Sequence, residues 1–176
     1  ASADQDEEPS ANGGAIYAEG DLEISNSQFS SNRADKPGFV EGNGGAIYAA
    51  GTLESTTNTM SENYASGFGG AIYAVGSATV IGGQFIRNEG RARGGAISSD
   101  SQVFVRDVSF TSNRAGSGGG INQTNTAASV QILDTIFFGN AGDGSGALRT
   151  AGPLTMFNSQ FSCLLYTSPS PRDLAQ

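Results

Sequence analysis

The sequence predicts an all-β chain wound as a right-handed parallel β-helix, about six coils of roughly 25 residues with three short strands each. Three observations predict it. A Gly-Gly-Ala-Ile tetrapeptide recurs at near-constant intervals, a Phe-x-x-Asn signal trails each copy, and an apolar pair spaced by two lies between them. Self-similarity at a fixed period of this length marks a solenoid, in which each repeat is one turn that cannot bury its apolar face alone.

The tetrapeptide reads Gly13-Gly14-Ala15-Ile16, Gly44-Gly45-Ala46-Ile47, Gly69-Gly70-Ala71-Ile72 and Gly94-Gly95-Ala96-Ile97, with weaker copies at Gly118-Gly119-Gly120-Ile121 and Ser145-Gly146-Ala147-Leu148. Successive copies are 31, 25, 25, 24 and 27 residues apart. The second signal is Phe29…Asn32, Met60…Asn63, Phe85…Asn88, Phe110…Asn113 and Phe137…Asn140. The Ile or Leu precedes the Phe or Met by 13 residues in five copies and by 16 in the fifth, which therefore holds three extra residues in one turn. The apolar pair is Leu22/Ile24, Leu53/Ser55, Ala78/Val80, Val103/Val105 and Leu154/Met156, with Val130/Ile132 displaced by the same three residues.

A spacing of two is strand periodicity. The first coil thus holds strands near 15–18, Leu22–Ser25 and Gln28–Ser30, with glycines and polar residues at the bends. A leucine-rich repeat has a similar period but needs Leu at most consensus positions. Here those positions hold Gly, Ala, Ile and Phe, and no helical stripe appears.

Stacked coils turn each consensus position into a column. Ile16, Ile47, Ile72, Ile97, Ile121 and Leu148 form one inward column, and Phe29, Met60, Phe85, Phe110, Phe137 and Phe161 another. Asn32, Asn63, Asn88, Asn113 and Asn140 read as a structural ladder of amides in a turn. Alternation turns Tyr17, Tyr48 and Tyr73 outward, an aromatic strip able to hold a sugar face or a partner protein. The strip stops at the fourth coil, where Ser98, then Asn122 and Arg149, take over.

Composition narrows the function. Gly is 26 of 176 residues, about twice ordinary usage. With hydrophobic residues at 37%, this describes many tight turns rather than a charged disordered chain. A net charge of −8 with no basic stripe excludes nucleic acid as a partner. No apolar run is long enough for membrane insertion by a helix. No cofactor, metal site or catalytic cluster is expected: there is no His, Lys36 is the only lysine, and Asp134 stands apart from Asp100 and Asp107. The sequon Asn122-Gln123-Thr124 is an acceptor pattern for secretory glycosylation.

Gly-Gly-Ala-Ile followed by Phe-x-x-Asn resembles the repeat pair of the polymorphic outer membrane proteins of Chlamydia and of other pectin-lyase-like β-helix proteins. The resemblance covers residues 13 to about 162. It implies a surface-displayed or secreted passenger with an adhesive or structural role, on a bacterial outer membrane or outside the cell. It implies no residue-level site, because those motifs are architectural. Carbohydrate or a host or cell-surface protein would be the partner. The alternative is a fragment of a carbohydrate-active β-helix enzyme, a polysaccharide lyase or glycoside hydrolase, whose active site lies outside this segment.

The expected organisation is an acidic leader over 1–10, a repeat domain over 11–162 and a foreign tail over 163–176. The stretch from Cys163 to Asp173 looks like a translated sequencing adapter, so Cys163 is not read as a nucleophile. Ala1 in place of Met, with no apolar leader, reads as a start inside a longer frame. Uncapped solenoid ends would leave strand edges free for self-association.

Overall fold

The computed structural model describes residues 11–35 and 42–166. The acidic leader over 1–10, Lys36 and the tail beyond 166 lie outside the described residues. The fold is a parallel β-solenoid built from three sheets that run along the stack. The first sheet is six-stranded and takes one strand from each coil: Ile16–Ala18, Ile47–Ala49, Ile72–Ala74, Ile97–Ser99, Ile121–Gln123 and Leu148–Thr150. Its register pairs each tetrapeptide Ile with the next, Ile16 with Ile47 and Ile97 with Ile121. A second sheet carries the apolar pairs and the Phe column. Its two segments per coil are separate at Val103–Arg106 and Ser109–Thr111, but they fuse into nine-residue strands at Leu53–Ser61 and Ala78–Ile86.

The third sheet adds a short segment to each coil, which makes three strands in coils two and three, as expected, and four in the others. This short segment follows the ladder position, Asn in five coils and Leu164 in the sixth: Arg33–Ala34, Tyr64–Ala65, Glu89–Arg93, Arg114–Ser117, Ala141–Gly142 and Leu165–Tyr166. Its inward residues are Ala34, Ala65, Gly90, Ala115 and Gly142, all small and all buried. At two of them the chain passes close by: a Cβ added to Gly90 would lie 2.5 Å from the carbonyl oxygen of Gly94, and one added to Gly142 2.2 Å from that of Ser145. A Cβ added to Gly45 would lie 2.6 Å from the Tyr64 backbone and 2.0 Å from the carbonyl oxygen of Gly70 in the next coil. Gly44 is needed for a different reason, since its φ of +67° lies in the left-handed region. The Gly-Gly pair therefore makes a sharp corner and then a close approach.

Inside, the columns are dry. Ile47, Ile72, Ile97 and Ile121 are fully buried, as are Phe110 and Phe137, with Phe85 almost so. The rings stack at centroid distances of 5.0 Å (Phe85–Phe110), 4.8 Å (Phe110–Phe137) and 4.7 Å (Phe137–Phe161), with interplanar angles of 14° or less. In the sixth coil the same columns surface, leaving Leu154, Met156 and Phe161 exposed.

The Asn column joins the coils through side chains. Nδ2 of Asn63, Asn88 and Asn113 donates to Oδ1 of the Asn in the next coil at 2.9–3.0 Å. The second Nδ2 hydrogen goes back to a carbonyl of the previous coil, that of Phe29, Met60 or Phe85. Each Oδ1 accepts a second bond, from the backbone N–H of the Asn before it. Every bonding position of these three buried amides is filled, which neither Asp nor Leu could reproduce. In the sixth coil Leu164 stands at the ladder position, so the ladder ends at Asn140.

The extra residues of the fifth coil form an exposed loop, 125–127, pinned by buried Gln123. Gln123 Nε2 donates to the Asn125 carbonyl at 2.6 Å, while its Oε1 accepts from Thr150 and from the Ala151 N–H.

Phe110→Ala is expected to cost about 3–5 kcal/mol of unfolding free energy, the scale for a buried ring, read by denaturant titration. An unchanged midpoint would show that the Phe column is not core.

Candidate functional site

Two outward-facing features carry side chains that the core does not consume. The first is the tyrosine column. Register places Tyr17 beside Tyr48 and Tyr48 beside Tyr73, followed by Ser98, Asn122 and Arg149. The Tyr17 and Tyr48 rings are stacked, 4.9 Å apart at 12°, and Tyr48 and Tyr73 are tilted at 5.5 Å. Exposure falls along the column, from 54% at Tyr17 through a half-buried Tyr48 to 9% at Tyr73.

Tyr73 therefore departs from the expected outward strip. Phe68, directly before Gly69, packs against its ring at 5.9 Å, and the Arg93 guanidinium covers Phe68 at 5.1 Å. The Tyr73 hydroxyl donates to the Asp100 carboxylate, which also accepts from Thr124 Oγ1 at 2.7 Å. The accessible platform is Tyr17 and Tyr48 alone. Burial pushes the Tyr48 phenol above its ordinary value, with Tyr17 and Asp100 adding to the shift. For Tyr73 burial again comes first, followed by the hydrogen bond to Asp100, and the ionisation moves further up.

Above the tyrosines the same face is closed. Ser98 and Asn122 are 1% and 0% exposed. The sequon asparagine is thus buried within a strand, out of reach of a glycosylating enzyme while the chain is folded. The Asn122 amide and the Ser117 hydroxyl have no hydrogen-bond partner among the described residues.

The second feature is a groove along the bend of the second sheet. A section of about 470 Å³ is lined by Thr57, Thr59, Gln84, Asp107, Ser109 and Asp134, among others. It shares Asp134 and Ile136 with a section of about 450 Å³ that continues to Asn158 and Gln160. Coils two, four, five and six each supply a corner residue and a strand residue, and coil three supplies Gly83 and Gln84. The corner is left-handed throughout: Asn26, Thr57, Gly82, Asp107, Asp134 and Asn158 all have positive φ.

Asp107 and Asp134 are equivalent residues of neighbouring coils, because Arg106 pairs with Leu133 immediately before them. That corrects the reading of Asp134 as isolated. Arg106 lies 3.5 Å from Asp107, and Asn158 Nδ2 donates to Asp134 at 2.6 Å. Asp100 lies away from this pair, bound to Tyr73 and Thr124. Among the described residues no three His, Cys, Asp or Glu side chains converge to hold a metal ion.

A family model described as the Chlamydia polymorphic membrane protein repeat matches residues 26–50, 59–75 and 107–124. Those segments are similar to that repeat, and together they make up about a third of the chain. Each matched segment spans the same passage, from a Phe- or Met-x-x-Asn signal through the third-sheet strand to the following Gly-Gly-x-Ile. The matched segments thus hold the Asn ladder and the glycine corner, and they also take in Tyr48 and the groove residues Thr59, Asp107 and Ser109, at outward positions that vary between coils. No curated protein and no solved structure matches the chain.

The neutral Tyr73 phenol sets a pH limit. Its folded ionisation lies above the unfolded value of about 10, so its contribution is complete below that pH and is lost as pH rises beyond it. Thermal midpoints measured from neutral to strongly alkaline pH should fall more steeply for the natural chain than for Tyr73→Phe. Parallel declines would show that Tyr73 is not held neutral by the fold.

Proposed function

We propose that this segment is a structural β-helix stalk displayed at a cell surface or secreted, with an adhesive face. The observation that carries the adhesive part is the pair of stacked rings, Tyr17 and Tyr48, standing on a rigid sheet with Tyr17 more than half exposed. Such a surface has little side-chain entropy left to lose on contact, because stacking and the strand backbone already fix the rings. Aromatic side chains supply large contact areas and are enriched where partners meet. A carbohydrate face or a cell-surface protein is the class of partner such a platform fits. The polymorphic membrane protein-type repeats support the display role, and the interlocked coils suit a stalk that holds a contact surface away from its anchor.

Beads coated with the chain should adhere to cultured epithelial cells, and Tyr17→Ala should lower retention under flow several-fold while the thermal midpoint stays put. Tyr17→Phe should retain most of the adhesion, since the ring rather than the hydroxyl makes the platform. Equal retention by the natural chain and Tyr17→Ala would remove the tyrosine face from any adhesive role.

A further inference from the structure

The groove along the second sheet is independent of the tyrosine platform and has a chemistry of its own. We infer that it binds an extended, neutral, β-linked glycan lying parallel to the solenoid axis, one sugar to a coil.

Three features lead there. The first is length with repetition: the two sections share Asp134 and Ile136 and run from Thr57 in the second coil to Gln160 in the sixth. Adjacent coils are spaced as neighbouring strands are, about 4.8 Å. That step is close to the length of one pyranose unit in an extended β-linked chain. An extended peptide rises only about 3.3 Å per residue and falls out of step with the coils.

The second is the lining. Hydroxyls (Thr59, Ser109), amides (Gln84, Gln160) and carboxylates (Asp107, Asp134) alternate along it, and between them they donate to and accept from sugar hydroxyls. Ile136, 47% exposed, offers an apolar contact for the C–H face of a ring. The third is charge. Asp134, and Asp107 with Arg106 3.5 Å away, place two carboxylates one coil apart on a chain of net charge −8, which disfavours uronate-rich or sulfated polymers. A neutral glycan escapes that repulsion and can give its hydroxyl hydrogens to the carboxylates.

Gly82 makes the idea testable without disturbing the fold. It sits at the left-handed corner with φ +66°, where other coils carry Asn26, Asp107, Asp134 and Asn158, so an Asn there adopts a conformation the solenoid already uses. A Cβ at Gly82 would come nearest the Thr57 hydroxyl, at 3.3 Å, with the Thr57 backbone at 3.7 Å or more, and Thr57 lines the groove. Gly82→Asn therefore places a side chain at the groove wall where the natural chain has none.

The test is a titration of the isotope-labelled chain, followed by amide resonances. The probes are cellohexaose, the β-1,4 hexamer of N-acetylglucosamine, a galacturonate hexamer and a hexalysine peptide. At least one neutral hexamer is expected to move the Gly83, Gln84 and Ser109 amides. Gly82→Asn should weaken that binding about tenfold, Gln84→Ala should weaken it with the fold intact, and Tyr17→Ala should leave it unchanged. The inference is overturned if neither neutral hexamer moves those resonances at millimolar concentration. It also falls if the galacturonate or hexalysine probe binds in their place, or if both groove variants bind as the natural chain does. A loss of cell adhesion in Tyr17→Ala with groove binding intact would separate the two sites.

Discussion

The structure depends on one constraint, that every coil must lie on its neighbour in strict register. Hydrogen bonds of the three sheets run between coils, so a single coil satisfies almost none of its own backbone. The Asn column is the most stringent expression of this. An amide in one coil gives one hydrogen to the next coil's amide and one to a carbonyl of the coil before, while its oxygen takes two hydrogens in return. A slip of one residue would leave buried donors and acceptors empty and turn each Phe of the stack outward. Polar and apolar columns thus enforce the same register from two sides of the Phe-x-x-Asn signal.

Because the inward positions and the Gly-Gly corner are committed to stacking, variation falls on what points out. The chain uses that freedom unevenly. On the first sheet the outward column changes from tyrosines to Ser98 and a buried Asn122, and Phe68 with Asp100 closes over Tyr73 at the change. On the second sheet the outward positions across the bend are polar except at Ile136 and leave a groove. A repeat held together by its inward columns can therefore carry different surfaces on different coils.

Much of this was legible in the sequence, for a physical reason: equal positions stack, so a column is also a recurrence. The Ile, Phe and Asn columns, the displaced pair Val130/Ile132 and the short strands Leu22–Ser25 and Gln28–Ser30 follow from counting. The third-sheet strand escaped because its inward residues, Ala34, Ala65, Gly90, Ala115 and Gly142, are too small to register as an apolar signal. The Tyr73 cover escaped because the position before Gly-Gly has no consensus, holding Asn12, Asn43, Phe68, Arg93 and Ser117 in turn. The pairing of Asp107 with Asp134 was hidden by the three-residue insertion, yet the shift that aligns Val130 with Val103 also aligns the two acids. Counting finds residues that repeat, and misses contacts made by residues that do not.

The most direct test of register-dependent stacking is excision of coil-length and half-coil segments, followed by thermal unfolding monitored by circular dichroism. Removing residues 94–117 joins Arg93 to Gly118 and seats Phe137 on Phe85 and Asn140 on Asn88, one full period lost. Removing 94–105 deletes about half a coil and opposes unlike columns. The account predicts a cooperative, β-rich transition for the first deletion and none for the second. Equal folding of both, or of neither, would contradict it.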